Sequence, residues 1–377
     1  MTHPEVSAII PCLNEEATLA ICIKKAQKAF EELGISGEVV IGDNGSTDKS
    51  IEIANKLGAR VVPQKIKGYG AAIQAAANAA KGKYLIMADA DDSYDWSNIA
   101  PFINELDKGY DFVIGNRFEG GIQKGAMPFL HRYLGNPILS KISSIFYRVK
   151  IRDFHCGMRA FTKEAYSKMN LQTEGMEFAT EMVVRAAQEK LKIKEVPIKL
   201  FPDKRNRKPH LRTFRDGWRH LRFIMTYAPN YLYLAPGVSI FIIGMLLQAL
   251  LVTGPLKVGG FYLGSHFLAL GLLLTLTGIN IITQGLIAKV ILFNQTKQME
   301  NTIVRLIQSK FSLERGIIIG CFVLATGLMI DGSLLLTWLG SNIAMDSSIH
   351  LAFVGSGLIV LGINIIFSSF LLGMCLL

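Results

Sequence analysis

Hydrophobic and polar positions follow two different rhythms along this chain. Up to about residue 228, short β-branched runs alternate with stretches whose apolar residues recur every three or four positions. Runs at 6–10, 39–41, 60–62, 84–87 and 112–114 predict strands, and the stretches 18–33, 48–57 and 70–80 between them predict helices. Strand and helix in alternation imply a mainly parallel, Rossmann-like sheet covered on both faces. Beyond residue 228 the apolar runs become long. Those near 232–253, 267–293, 316–339 and 350–376 each reach the roughly 20 helical residues that span a bilayer. The expected fold class is therefore an α/β soluble domain followed by an all-α transmembrane domain of four helices.

The apolar half repeats itself. Leu276-Thr277-Gly278-Ile279-Asn280-Ile281-Ile282 recurs 84 positions later as Val360-Leu361-Gly362-Ile363-Asn364-Ile365-Ile366, which predicts two related helical hairpins. Asn280, Gln284 and Asn364 are candidates for hydrogen bonds between helices or for a lipid or sugar pathway. Asp331 is a lone acid near the outer end of the third span. The expected domains are 1–200 for the soluble unit, 201–230 for a basic loop and juxtamembrane amphipathic helix, and 231–377 for the membrane unit.

Charge orients the spans. Nine Lys or Arg lie from Lys199 to Arg222, and Lys297, Arg305, Lys310 and Arg315 lie between spans two and three. The other two loops hold only Lys257. The excess of basic residues predicts both termini on the cytoplasmic side of a plasma or inner membrane. Half of the 377 residues are hydrophobic, 19% are charged, and the net charge is +10, which argues against a wholly soluble or a disordered chain. Five cysteines without a CxxC pair support neither a disulfide framework nor structural zinc. The opening Met-Thr-His-Pro-Glu has no basic segment before an apolar stretch, so a secretory signal is not expected.

Candidate chemistry collects after the predicted strands, where open α/β sheets bind ligands. Asn14-Glu15-Glu16 follows the first, Asp43-Asn44-Gly45-Ser46-Thr47-Asp48 the second, and Asp89-Ala90-Asp91-Asp92 the fourth. Neither GxxxxGK[ST] nor a GxGxxG after the first strand occurs, so phosphate must be held in another way. Asp89 and Asp91 share one side of an extended segment. Such a pair suits Mg2+ or Mn2+, which takes a few carboxylates plus substrate phosphate oxygens.

These segments, with Ile10-Pro11-Cys12-Leu13-Asn14-Glu15, Lys67-Gly68-Tyr69-Gly70-Ala71-Ala72, Gly115-Asn116-Arg117 and Asp153-Phe154-His155-Cys156-Gly157-Met158-Arg159, resemble family 2 glycosyltransferases of the GT-A fold. The resemblance spans residues 5–212 and is nearest to the polyprenyl-phosphate glycosyltransferases, which include dolichyl-phosphate mannosyltransferase. It implies that Pro11, Asn14, Glu15 and Asp43 line the nucleotide, and that Gly68 and Gly70 let backbone approach the donor. Asp89 and Asp91 would hold the metal and diphosphate. Arg117 and Arg132 would meet the acceptor phosphate, and Asp153 would orient the acceptor, act as base, or stabilise a turn. Arg205 and Lys208, within a basic run, would close over phosphate or attract anionic lipid. Asn44, Met158, Asp92 and Ser93 depart from the family pattern, which leaves the donor sugar open.

Two further segments carry alternatives. Leu130, Leu134, Ile138, Leu139, Ile142 and Ile145 recur at helical spacing, as an interfacial amphipathic helix or a core-facing one. Glu177 and Glu181 stand one turn apart, lining a sugar pocket or a salt-bridged surface. The expected function is inverting transfer of one sugar from a nucleotide-sugar donor to a polyprenyl phosphate, with membrane lipids as further partners and no nucleic acid. A homo-oligomer through the membrane helices is compatible with this. The alternatives are a processive polysaccharide synthase, although its Gln-x-x-Arg-Trp motif is missing, and a non-catalytic adaptor or lipid translocator.

Overall fold

A computed structural model describes residues 3–204, 213–296, 302–341 and 349–376. Its contacts divide the chain into two compact units, Met1–Ile224 and Met225–Leu377.

In the first unit seven strands form one sheet: β1 (Val6–Cys12), β2 (Gly37–Asp43), β3 (Arg60–Pro63), β4 (Tyr84–Met87), β5 (Phe112–Asn116), β6 (Arg159–Thr162) and β7 (Ile193–Pro197). Their order is β3-β2-β1-β4-β6-β5-β7. β1 runs parallel to β2 and β4, β2 parallel to β3, and β5 parallel to β7, while β6 lies antiparallel between β4 and β5. Every residue of β4 and β5 is buried, as a sheet covered on both faces requires. Each fully buried large apolar side chain there contributes about 1.5–3 kcal/mol. The covering helices are α1 (Leu19–Leu33), α2 (Ser50–Lys56), α3 (Tyr69–Ala79), α4 (Ala100–Asp107), the single turn α5 (Arg117–Gly120), α6 (Asn136–Tyr147), α7 (Lys163–Met169), α8 (Phe178–Gln188) and α9 (Thr213–Thr226). Since β1, β2 and β4 are parallel, their carboxyl ends share one edge of the sheet. That edge carries the polar loops.

The second unit contains four helices long and apolar enough to cross a membrane: Asn230–Leu251, Ser265–Asn294, Leu313–Gly340 and Ile349–Leu376. They correspond to α10 (Ala235–Leu251, entered through a π-turn), α11 (Ser265–Thr296), α13 (Leu313–Ser341) and α14 (Ile349–Leu376). The amphipathic α12 (Thr302–Lys310) buries Val304 against Val290 of α11 and Leu372 of α14.

The sequence repeat is also a packing repeat. Gly244 of α10 lies against Gly271 and Thr275 of α11, and Gly327 of α13 lies against Gly355 and Ile359 of α14. Gly278 meets the backbone of Phe241, and Gly362 meets that of Leu324. Small residues let the helix backbones approach closely in both hairpins. A short hairpin was not anticipated from the sequence: β8 (Leu256–Val258) and β9 (Phe261–Leu263) pair antiparallel between α10 and α11. Gly259 and Gly260 form its turn at φ of 54° and 86°, values that few other residues adopt without strain.

Candidate functional site

The loops after β1 and β2 are latched to one another. Asn14, at φ 58°, accepts from Thr47 N at 2.7 Å through Oδ1, and its own N–H donates to Ser46 Oγ at 3.0 Å. Glu15 N donates to Ser50 Oγ at 2.9 Å, and Glu16 N to Asp48 Oδ2 at 3.0 Å. Asp43, buried at the end of β2, accepts from Gly45 N and Ser46 N. Pro11 is half-buried within β1. Pro11, Asn14, Glu15 and Asp43 are thus held in one rigid corner of the sheet edge.

Asn44 extends this corner to the start of α3. Its Nδ2 donates to Ile66 O at 2.7 Å and its Oδ1 accepts from Gly68 N at 2.8 Å. Gly68 has φ of 153°, and a Cβ there would collide with the carbonyl of Glu174. A Cβ at Gly70 would meet Thr173 O at 2.5 Å and Phe178 Cβ at 2.7 Å. The chain's own 173–178 segment therefore already requires both glycines.

The acidic loop follows β4. Tyr69 Oη donates to Asp89 Oδ1 at 2.9 Å. Burial, then the nearby Asp89 charge, raises the Tyr69 phenol well above its ordinary value, so it stays a donor. Asp91 is 4% exposed and its Oδ1 accepts from Ser93 N at 3.0 Å and Ser93 Oγ at 2.6 Å. Asp92 is bridged at 2.7 Å by both Lys25 and Lys204. The two lysines neutralise Asp92. Among the described residues, no group of three or more His, Cys, Asp or Glu is arranged to hold a metal ion.

At the end of β5, Arg117 and Asp153 grip each other. Arg117 Nε reaches Asp153 Oδ2 and Nη2 reaches Oδ1, both at 2.7 Å, and the Arg117 backbone N–H adds a third bond at 3.0 Å. Both side chains are buried. Burial alone would lower the guanidinium's proton affinity, but the Asp153 charge raises it well above the ordinary value. The third edge, Nη1, points to Tyr94 Oη at 3.5 Å, which also accepts from Gly157 N at 2.8 Å. Arg159 pins the same turn by donating to Cys156 O at 2.8 Å, Phe154 O at 3.1 Å and Ala179 O.

The two glutamates of α8 and the turn before it part company. Glu181 is fully buried and accepts from Gln172 N, Thr173 N and Thr173 Oγ1 at 2.7–3.1 Å, which fixes the 172–174 loop. Glu177 lines a cleft of about 540 Å3 with Lys67, Gly68, Tyr69, Arg219 and Arg222. Beneath it, His220 of α9 bonds Thr180 Oγ1 at 2.7 Å through Nδ1. Burial lowers its pKa from 6.5 to about 4. An unfolded histidine gains its proton near 6.5, the folded one only near 4, so stability falls as pH drops through that window. The loss reaches up to about 3 kcal/mol near pH 4. The thermal midpoint of the detergent-solubilised chain should fall accordingly. His220→Gln, which keeps a partner for Thr180, should flatten part of that slope.

In α6 the buried residues are Ser140 and Ser143, while Leu130, Leu134, Ile138 and Ile145 are exposed and Leu139 and Ile142 half-buried. A core-facing helix would show the reverse. Arg132 sits within this apolar surface, 5.5 Å from the Tyr133 ring. Arg205 and Lys208 lie outside the described residues. Tyr69, Tyr94, Ser93 and Arg159 had not been singled out for a role. Their only sequence signal is position: Tyr69 and Arg159 lie inside motifs quoted above, and Ser93 and Tyr94 directly follow the acidic one.

Comparison with known proteins places this arrangement. Glycosyl transferase family 2 matches residues 7–169, and the glycosyltransferase family 2 C-terminal transmembrane region matches residues 286–376. A low-salt glycan biosynthesis hexosyltransferase of Haloferax volcanii is 39% identical over 371 residues, spanning 98% of this chain and 89% of that one. A dolichyl-phosphate hexose transferase of the same organism is 32% identical over 197 residues, spanning 52% and 83%. Among solved structures, a mycobacterial protein aligns over 60% of this chain and 75% of its own, with a TM-score of 0.50 and 19% identity, a likeness of fold.

Proposed function

Because the chain belongs to glycosyl transferase family 2, with a GT-A soluble unit and a four-helix membrane unit, we propose that it transfers one sugar from a nucleotide-sugar to a polyprenyl phosphate at the cytoplasmic membrane face. The observation that carries this reading is the turn 153–159. Asp153 holds Arg117, and Gly157 lies so close to the acidic loop that a Cβ there would come within 3.1 Å of Asp89 Oδ2. A carboxylate pair suited to a donor diphosphate thus lies next to a guanidinium suited to an anionic acceptor. The name of the dolichyl-phosphate relative supports the acceptor class.

Asp89 and Asp91 fit a Mg2+ or Mn2+ ion, since two carboxylates leave its remaining positions to water and phosphate oxygens. When bound, the ion supplies positive charge against the departing nucleotide diphosphate. Tyr69 and Ser93 fix the orientation of the two carboxylates. Asn14, Glu15, Pro11 and Asp43, in their latched corner, receive the nucleotide, while Arg205 and Lys208 add positive charge toward the phosphates. The acceptor phosphate is already an anion and needs positioning rather than a general base. A single displacement by its oxygen would invert the anomeric centre.

Asp153 acts in this scheme by aiming Arg117. The guanidinium fork is suited to phosphate oxygens, and Nη1 is the edge that Asp153 does not occupy. Arg132 on the exposed apolar surface before α6 serves the same headgroup. That surface suits lipid contact, because an amphipathic helix buries such a face at the headgroup level. The basic residues before the first span and between spans two and three support cytoplasmic termini.

The test is incubation of membranes containing the protein with radiolabelled nucleotide-sugars and a polyprenyl phosphate. One sugar on an organic-extractable lipid is expected, identified by mass. A growing water-soluble polymer would instead indicate a processive synthase, and no transfer from any donor would end the proposal.

A further inference from the structure

The turn between Arg117 and Asp89 carries a histidine with no evident partner. His155 lies two residues after Asp153 and two before Gly157. Both ring nitrogens are buried, and neither has a hydrogen-bond partner among the described residues. A neutral imidazole presents one donor and one acceptor, and leaving both unmet in the interior is costly. Such a group calls for a ligand or a structural reason.

The backbone that carries the ring is held on both sides. Arg159 holds the carbonyls on either side of it, Phe154 O and Cys156 O, and Phe154 N donates to Ser140 Oγ of α6 at 3.1 Å. The ring meets that of His220 edge-on, with centroids 4.9 Å apart and an interplanar angle of 74°. Thr180 fixes His220 in turn.

Two guanidinium groups, those of Arg117 and Arg159, act on the ring. Burial, then His220, Arg117, Arg159 and His131, all disfavour a proton on His155, which therefore stays neutral with one N–H donor. The acids nearby are engaged elsewhere. Asp153 is gripped by Arg117, and Asp216 and Glu177 act on His220. A buried N–H that lacks a partner, near two guanidiniums and with no carboxylate of its own, matches an oxyanion. The donor diphosphate is less suited, since its side of the turn holds the carboxylates Asp89 and Asp91.

We propose that His155 is a ligand of the acceptor, donating its ring N–H to a non-bridging oxygen of a phosphate monoester held beside Arg117. This rests on the acceptor reading given above and extends it to a residue which that reading does not use.

The experiment measures binding by the full chain in detergent, without turnover. The probes are a short-chain polyprenyl phosphate, inorganic phosphate, and UDP and GDP with Mn2+. His155→Phe keeps the ring shape and removes the donor, while His155→Gln keeps an N–H. In His155→Phe, affinity for polyprenyl phosphate should fall about 10- to 100-fold, the range for a lost hydrogen bond to a charged group. Inorganic phosphate should weaken in parallel, nucleotide binding should stay within about twofold, and His155→Gln should recover most of the loss. Unchanged polyprenyl phosphate binding in His155→Phe would overturn the assignment. So would a joint loss of all probes with a lowered thermal midpoint, the mark of a structural role. If inorganic phosphate binds through His155 but polyprenyl phosphate does not bind the wild type, the oxyanion site stands and the lipid acceptor falls.

Discussion

Asp91→Asn should lower sugar transfer by roughly 10³-fold while leaving the fold intact. The oxygen that Ser93 uses, at 3.0 Å from N and 2.6 Å from Oγ, is retained by the amide. What disappears is one negative charge beside Asp89, on the edge where the departing diphosphate would be held. Loss of a single preorganised electrostatic contact of this kind costs about 2.7–4 kcal/mol of transition-state stabilisation, hence the expected factor. The thermal midpoint should stay close to that of the wild type, because the amide keeps the shape and the bonds from Ser93. Asp92→Asn is the internal control. Asp92 is engaged by Lys25 and Lys204, so its loss should affect stability more than transfer. Two measurements decide: initial rates with the preferred donor, and Mn2+ binding by electron paramagnetic resonance. Transfer within tenfold of wild type in Asp91→Asn would remove Asp91 from the reaction.

The chain's periodicity revealed what is local and hid what is not. The run 84–87 coincides with β4, and 6–10 and 39–41 fall inside β1 and β2, because buried parallel strands are continuous apolar runs. β6 escaped because its four residues open with Arg159 and read as the tail of a polar motif. Its antiparallel entry between β4 and β5 depends on pairings more than 40 residues apart. The membrane spans were legible from length and hydropathy alone, whereas the glycines at the helix crossings emerged only from the structure.

The site was legible by residue type and less so by partner. Asp89, Asp91, Arg117 and Asp153 were all identifiable, but the spacing of 36 residues between Arg117 and Asp153 conveys nothing about contact. The structure turns two separate candidates into one ion pair. In the same way Glu177 and Glu181, one turn apart on paper, divide between an open cleft and a buried loop anchor. Tyr69 and Tyr94 were not identifiable as participants, since nothing in a tyrosine's sequence position says which group its hydroxyl will meet. Only the three-dimensional arrangement brings their hydroxyls to Asp89 and Arg117.

Asp153→Ala should destabilise the soluble unit by about 3–5 kcal/mol, the usual result of stripping the partner from a buried charge. Arg117 would be left with Nε and Nη2 unpaired in a space where its side chain is only 9% exposed. The Coulombic gain of the intact pair is not the source of this figure, because the pair also bears the desolvation of two ions. The distinction is testable with a second variant, Asp153→Leu combined with Arg117→Met, which removes both charges and keeps most of the volume. Its thermal midpoint should lie well above that of Asp153→Ala and near wild type, while transfer to polyprenyl phosphate stays lost. Stability recovered without activity would mean that the pair is maintained for what Arg117 does to an anion. A double variant as unstable as Asp153→Ala would instead trace the defect to packing, and Asp153 would cease to be the residue that aims the guanidinium.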